Sequence, residues 1–376
     1  MTLAMDFEKL TIYLQCSPQT EEIVHAEFLE KCQLLDISIA SNELPLEHRE
    51  YTISREHLST LLPYLKCPNR VLIRVSQFKV RDFPKLYQKL LKIDWSDWIG
   101  GAFEKIHVTS SKSRLIHSDR IEKSAREAIE RYLQMNPIKK IKQEAWKNCP
   151  CELFIRIVDD VCTVSIDASG EKLSQRGYRK FVGIAPLREN RAATILYTIL
   201  RDEFKNQTKI NLLDPFVGSG TFLLELSQFY KPNTYRKYYL HSFFNLEIQQ
   251  KSLKEFSYRL VGIDHDSKAL EACRRNFQGL QSGHDDLKLI ESDIFKFEWE
   301  NDEKFFMISN PPYDERISVD HKFHQNLIHH LTSSFKNASI FLLLPKSVWK
   351  NMSIPSKKIL AFSNSGIDVE LRKLKN

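Results

Sequence analysis

Polar and apolar positions along the chain alternate with two different periods, and the places where the period changes mark its parts. Up to about residue 170 the patterns are short and mixed. Leu10-Thr-Ile-Tyr-Leu14 alternates as a strand does, and Glu21 to Cys32 puts Ile23, Val24, Phe28 and Leu29 on one helical side. Val71 to Val75 reads as a strand after the Pro68-Asn69 turn, and residues 82–98 as a helix with Phe83, Leu86, Leu90 and Leu91 on one face. Ile106-His-Val-Thr109 predicts another strand. A helix then starts at Ser118 or Asp119, either of which can cap it, and buries Ile121, Ala125, Ile129 and Leu133. The runs 153–158 and 162–166 alternate at period two around Asp159-Asp160-Val161, a β-hairpin pattern.

Beyond Gly170 the pattern becomes strand then helix, repeated. Pro186 and Glu189 prime a helix that buries Leu187, Ile195, Leu196 and Ile199. Apolar runs at 210–213, 259–264, 287–290, 305–309 and 340–344 then predict a doubly wound parallel sheet, closed by an antiparallel hairpin over 358–373. The expected fold is therefore α/β, preceded by a smaller α+β region.

Composition narrows this only a little. The chain has 376 residues, 42% hydrophobic and 27% charged, enough for two or three domains with ordinary cores. A net charge of +7 leans towards a polyanionic partner. Its densest basic stretch holds Lys112, Arg114, Arg120, Lys123, Arg126 and Arg131, continued by Lys139, Lys140 and Lys142 in a linker before Trp146. A solvated face is the plainer account of such a run. The seven cysteines form no CxxC pair, so neither a zinc site nor a disulfide framework is expected. No metal is expected, nor a targeting or membrane segment, since the longest apolar runs are far too short to span a bilayer. Reduced thiols in the cytoplasm follow as the default.

Candidate chemistry gathers at strand ends, where open α/β sheets bind ligands. Leu212-Leu-Asp-Pro-Phe-Val-Gly-Ser-Gly-Thr221 is a buried strand, a tight turn with two positions lacking Cβ, and a helix start. It lacks the Gly-Lys-Ser/Thr ending of a phosphate-binding loop and the three-glycine dinucleotide spacing. Asp214 suits a ligand carrying positive charge. The next strands end in Asp264, Asp293 and Asn310. Asn310-Pro-Pro-Tyr313 has a chemical logic for acting on the exocyclic amine of a base, a poor nucleophile because its lone pair is delocalised. The Asn310 carboxamide oxygen and the Pro311 carbonyl can accept both amine hydrogens and direct the lone pair, while Tyr313 offers a face for stacking.

The glycine turn followed by Asn-Pro-Pro-Tyr resembles the amino-group methyltransferases that use S-adenosyl-L-methionine. That resemblance implies a Rossmann-like class I methyltransferase domain. It implies cofactor contacts from Asp214, Pro215, Phe216, Gly218, Gly220, Thr221, Asp264, Asp293, Ile294 and Asn310, and catalysis by Asn310, Pro311, Pro312 and Tyr313. The front half, with Lys112-Ser-Arg-Leu115 and Asp167-Ala-Ser-Gly170, resembles the THUMP RNA-binding domain, and Arg176-Gly-Tyr-Arg179 with 185–189 resembles its join to a methyltransferase. Taken whole, the chain is similar to the bacterial 23S ribosomal RNA guanine-N2 methyltransferases. The implied organisation is a ferredoxin-like part at 1–60, a THUMP-type domain at 61–168 and the methyltransferase at 169–376. The implied partner is RNA, 23S rRNA first and tRNA second, met by Lys112, Arg114, Lys123, Arg126 and Arg316. DNA adenine N6 and a non-catalytic assembly role are the rival readings. Two departures bear on substrate: Asp314 stands where the family has glycine, and the segment 231–257 carries Phe243-Phe244 without tryptophan.

Overall fold

The computed structural model describes residues 9–39, 50–183, 187–203, 208–248, 251–280, 286–299, 304–313, 322–364 and 366–375. They fall into two units. The first comprises Met1–Cys16, Phe28–Gln175 and Arg236–Gln250; the second comprises Ser17–Glu27, Arg176–Tyr235 and Lys251–Asn376.

The chain runs through β1 (Lys9–Gln15), α1 (Glu21–Leu34), β2 (Glu50–Ser54), α2 (Arg55–Leu61), β3 (Arg70–Lys79), α3 (Phe83–Leu91), β4 (Ile106–Ser111), α4 (Ser118–Met135), α5 (Lys140–Asn148), β5 (Leu153–Val158) and β6 (Val161–Asp167). The six strands form one sheet in the order β2-β1-β3-β6-β5-β4, continuous across residue 60. Only β4 and β5 pair in parallel. The period-two pattern sorts the two faces. Leu10, Ile12, Leu14, Ile73, Ile155, Ile157, Val164 and Ile166 are buried, while Tyr13, Arg74, His107, Phe154 and Arg156 share the opposite face and keep some exposure. The hairpin turn has Asp159 at φ 51° and Asp160 at φ 61°, the left-handed pair that a two-residue turn needs to match strand twist.

Three local expectations are corrected. The helix expected over 82–98 stops at Leu91, where the Trp95 indole N–H donates to the Leu90 carbonyl at 2.9 Å and the chain turns into a short 3-10 segment at Trp95–Asp97. α4 begins at Ser118 as expected, but its cap position is His117, one residue before the expected caps, and no side chain caps it. The basic stretch before Trp146 is the helix α5 and not a linker.

The second unit contains α6 (Glu189–Glu203), β7 (Lys209–Asp214) and α7 (Thr221–Gln228). After α8 (Tyr239–Phe244), which lies in the first unit, come β8 (Ser257–Asp264), α9 (Ser267–Gln278), β9 (Asp286–Glu291), β10 (Phe305–Ser309), α10 (Phe323–Ser334), β11 (Ala338–Pro345), α11 (Lys346–Lys350), β12 (Ser356–Asn364) and β13 (Ile367–Leu374). Seven strands form one sheet in the order β12-β13-β11-β10-β7-β8-β9. The five from β11 to β9 are parallel, and β12 and β13 are the antiparallel closing hairpin. Burial on both faces explains why β10 and β11 read as unbroken apolar runs. From β7 the chain builds outwards through β8 and β9, then returns to the other side of β7 with β10. That reversal opens a crevice at the carboxyl ends of β7 and β10.

Within the first unit, α8 is tied to the residue that follows β6 and to segments that precede β5. Leu240 N–H donates to the Ala168 carbonyl at 3.1 Å, the Tyr239 hydroxyl donates to the Trp98 carbonyl, and the Tyr239 ring meets Trp146 edge-on at 5.7 Å.

Candidate active site

The crevice between β7 and β10 begins with a buried acid. Asp214 ends β7 at 2% exposure. Its Oδ1 accepts from the Ser309 hydroxyl on β10 at 2.8 Å and from the Phe216 N–H at 3.1 Å. Those bonds favour the charged form, but burial, with the nearby Asp264 adding to it, outweighs them and pushes the carboxyl up to about 7.

The turn after Asp214 is set by the strand beside it. Val217 N–H donates to the Ile263 carbonyl at 3.0 Å, and Gly218 N–H donates to Asp264 Oδ2 at 2.9 Å. Gly218 sits at φ +52° with nothing within 4 Å of where a Cβ would point, so a ligand can approach the bare backbone there. Gly220, at φ +86°, caps α7, and a Cβ there would lie 2.6 Å from the Cys273 sulfur on α9. The first glycine leaves room for a ligand; the second allows close helix packing. Pro215 and Thr221 are buried and Phe216 is half-buried.

The other strand-end residues differ in burial. Asp264 also accepts from the Asp266 N–H at 3.0 Å. Asp293 is exposed and accepts from the Phe295 N–H at 3.0 Å, while Ile294 behind it is buried. Phe295 stands out at 38% exposure, edge-on to Phe323 at 5.9 Å, and Phe323 meets Phe216 at 6.2 Å. An aromatic wall thus runs from Asp293 back to the glycine turn.

Asn310 follows Ser309 at the end of β10. Its Oδ1 is buried and has no hydrogen-bond partner among the described residues. Unpaired buried acceptors are costly, and one at a crevice is an acceptor left for a ligand. The loop carrying it is braced on two sides. His324 Nε2 lies 2.9 Å from the Pro312 carbonyl, and burial lowers the His324 pKa, so the neutral ring donates to that oxygen. Asn364 at the end of β12 donates to the Tyr313 hydroxyl at 3.0 Å.

Several contributors carry no local signal in the sequence. Arg179 places two guanidinium nitrogens 3.1 and 3.3 Å from the Ser219 hydroxyl, between the two glycines, and a third 2.7 Å from Glu189. Asn276 on α9 donates to the Ser219 and Phe181 carbonyls and accepts from the Lys180 and Phe181 N–H groups. Arg176 and Glu225 form a buried pair at 2.9 Å, and the Tyr178 hydroxyl also donates to Glu225. The motif Arg176-Gly-Tyr-Arg179 is therefore a brace behind the glycine turn.

The expected RNA contacts lie elsewhere, in the first unit. Lys112, Arg114 and Lys123 are exposed, whereas Arg126 is half-buried and bonded to the Phe103 carbonyl at 2.7 Å and to Glu122 at 3.0 Å. Arg316, Asp314 and Pro186 lie outside the described residues. Among the described residues no group of three or more His, Cys, Asp or Glu could hold a metal, and no helix is long and apolar enough to cross a membrane.

The parallel sheet with its reversal at β7, the glycine turn and the braced Asn-Pro-Pro-Tyr loop define a Rossmann-like methyltransferase domain. Residues 176–346 match the family described as UPF0020, RMKL-like, methyltransferase domain. The chain is 30% identical over 278 residues to the ribosomal RNA large subunit methyltransferase K/L of Marinomonas sp. (strain MWYL1), covering 66% of this chain and 36% of that relative. The chain thus spans well under half the length of that protein. Among solved structures, a possible methylase from Clostridium difficile 630 superposes with a TM-score of 0.75 at 23% identity, over 98% of both chains. SMU.472, a methyltransferase complexed with SAH, superposes at 0.74 and 22% identity, again over 98% of both. These two likenesses establish the fold.

Proposed function

We propose that the chain transfers a methyl group from S-adenosyl-L-methionine to the exocyclic N2 amine of a guanosine in RNA, with 23S rRNA as the substrate, in the cytoplasm. The observation that carries this reading is the buried, unpaired Asn310 Oδ1 at the crevice of a methyltransferase fold. The residues present fit the cofactor. Gly218 leaves open space at the turn, Asp214 and Asp264 offer carboxylates to its amine and ribose hydroxyls, and Asp293 with Ile294 and Phe295 can hold the adenine. Bound there, the cofactor supplies a sulfonium-activated methyl.

The protein's part is positioning. Asn310 Oδ1 and the Pro311 carbonyl accept the two amine hydrogens, which holds the nitrogen lone pair in line with the methyl. Proline lacks an N–H and fixes φ, so the acceptor geometry is stiff before the base arrives. Tyr313, held by Asn364, gives the extracted base a stacking face. The first unit, THUMP-like in its order of elements, grips the RNA through Lys112, Arg114 and Lys123, with Arg126 and Arg316 as further contacts. Such phosphate contacts make binding salt-sensitive. The likeness to a ribosomal RNA methyltransferase favours this substrate.

Nucleoside mass spectrometry on separated 23S rRNA and tRNA, from cells with the gene, without it, and with Asn310→Ala, tests the proposal. N2-methylguanosine should fall in 23S rRNA on deletion and stay low with Asn310→Ala. A fall confined to tRNA replaces the substrate. Full rescue by Asn310→Ala overturns the catalytic reading.

A further inference from the structure

One face of the six-stranded sheet carries a feature that the proposed chemistry does not use. A pocket of about 240 Å³ opens on it, crossed by β1, β3, β4, β5 and β6. Part of its lining is a stacked pair of rings: His107 lies on Phe154 at 4.5 Å with 16° between the planes. Glu152 Oε2 holds the His107 ring by its edge, 2.7 Å from Nε2, and is itself held 2.7 Å from Nη2 of the buried Arg70, whose guanidinium lies 5.5 Å from the centre of the Phe154 ring. The His107 side chain is 45% exposed.

On the neighbouring strand position, Arg156 is exposed and has no partner among the described residues. Arg74 lines the same pocket, paired with Glu50 through one nitrogen. The alternation that puts Ile155 and Ile157 into the core puts Phe154 and Arg156 on this same face. An ordinary solvated sheet face has no reason to pre-stack two rings beside a pocket and an exposed arginine with no partner among the described residues.

We infer that this face is a binding site for an unpaired base of single-stranded RNA, stacked on His107, with Arg156 on the adjacent phosphate. A pre-ordered ring stack gains contact with a base at little entropic cost, and stacking does not depend on which base it is. The volume is below the ~300–1,000 Å³ of pockets for larger ligands, which suits one base. Double-stranded RNA offers no free base face, so it is excluded on geometry. The inference rests on the RNA reading above. It adds a single-strand site to the duplex-compatible basic face of α4.

The test uses the full chain, a fluorescein-labelled ten-nucleotide single-stranded RNA and a blunt hairpin RNA of similar charge closed by a base-free linker, with affinities from anisotropy. His107→Ala and Arg156→Ala should each weaken single-strand binding by about tenfold and leave hairpin binding unchanged, and His107→Phe should restore it. His107 and Arg156 are exposed, and unchanged circular dichroism and melting of the variants check their fold. Single-strand binding that is indifferent to both substitutions overturns the site while leaving the methyltransferase reading intact. Loss of RNA binding by the unmodified chain, with cofactor binding retained in calorimetry, overturns the site and the RNA reading together. Equal losses for strand and hairpin would make these residues general phosphate contacts and overturn the base site.

Discussion

Replacing Asp214 with asparagine should make the protein more stable at pH 8, although the residue sits at the centre of the candidate site. Both hydrogen bonds to Asp214 end on one oxygen, Oδ1, so an asparagine carbonyl can keep them. What the substitution removes is a buried charge. The folded carboxyl titrates near 7 against an ordinary 3.8, so between those values the folded state holds a proton that the unfolded chain releases. Stability therefore falls as pH rises from about 4 to about 7 and stays low above that. The full shift corresponds to about 4 kcal/mol, an upper bound because burial effects of this kind are order-of-magnitude quantities.

The assay is urea unfolding of both proteins at half-unit steps from pH 4.5 to 8.5, reading the difference between them so that other titrating groups cancel. Asp214→Asn should match the parent at the acid end and exceed it by about 2–4 kcal/mol at pH 8, a midpoint shift on the order of 1 M. Cofactor affinity should move the other way, rising with pH through about 7 in the parent and staying weak in the variant. A stability difference that does not grow with pH refutes the burial argument. Growth without any change in cofactor affinity refutes the ligand role of Asp214.

Two further outcomes follow from the braces around the site. Arg176→Met strands the buried Glu225 and should cost about 3–5 kcal/mol in thermal or urea unfolding. Arg176→Met with Glu225→Leu should recover most of that loss, and equal losses in the single and double variants would argue against the pair. Asn364→Ala removes one donor to the Tyr313 hydroxyl and should lower kcat by about tenfold with cofactor Kd unchanged in calorimetry, whereas a parallel rise in Kd would place Asn364 in general packing.

Much of the second unit was legible in the sequence because its signals are local. Unbroken apolar runs gave the parallel strands, and each strand end printed its polar residue beside it: Asp214, Asp264, Asp293, Asn310. Asn310 needed only the chemistry of an exocyclic amine to be singled out. The environment of these residues was not legible. The rise in the Asp214 pKa comes from its burial in the folded sheet, against the opposing bond from Ser309, 95 positions away, and the Tyr313 brace depends on Asn364, 51 positions away. Asn276 satisfies four partners around the glycine turn while sitting in an unremarkable helix pattern. In the first unit, β2 and α2 passed unnoticed because five and seven residues are too few to establish a period. Arg126 read as a free cation because its carbonyl partner, Phe103, belongs to a distant turn.

The placement of α8 has a consequence for synthesis on the ribosome. Residues 236–250 complete the first unit, yet they leave the ribosome only after α6, β7, the glycine turn and α7. The part of the first unit that precedes Arg176 therefore emerges with the Trp98 carbonyl and the Trp146 ring awaiting Tyr239. At ~5–20 residues per second the wait lasts several seconds, with apolar surface uncovered, and it ends only when the front of the methyltransferase has been made. A stop codon or a protease cut near residue 170 releases an unfinished body. The chain is read as two modules, but it has no seam at which translation could pause with one of them whole.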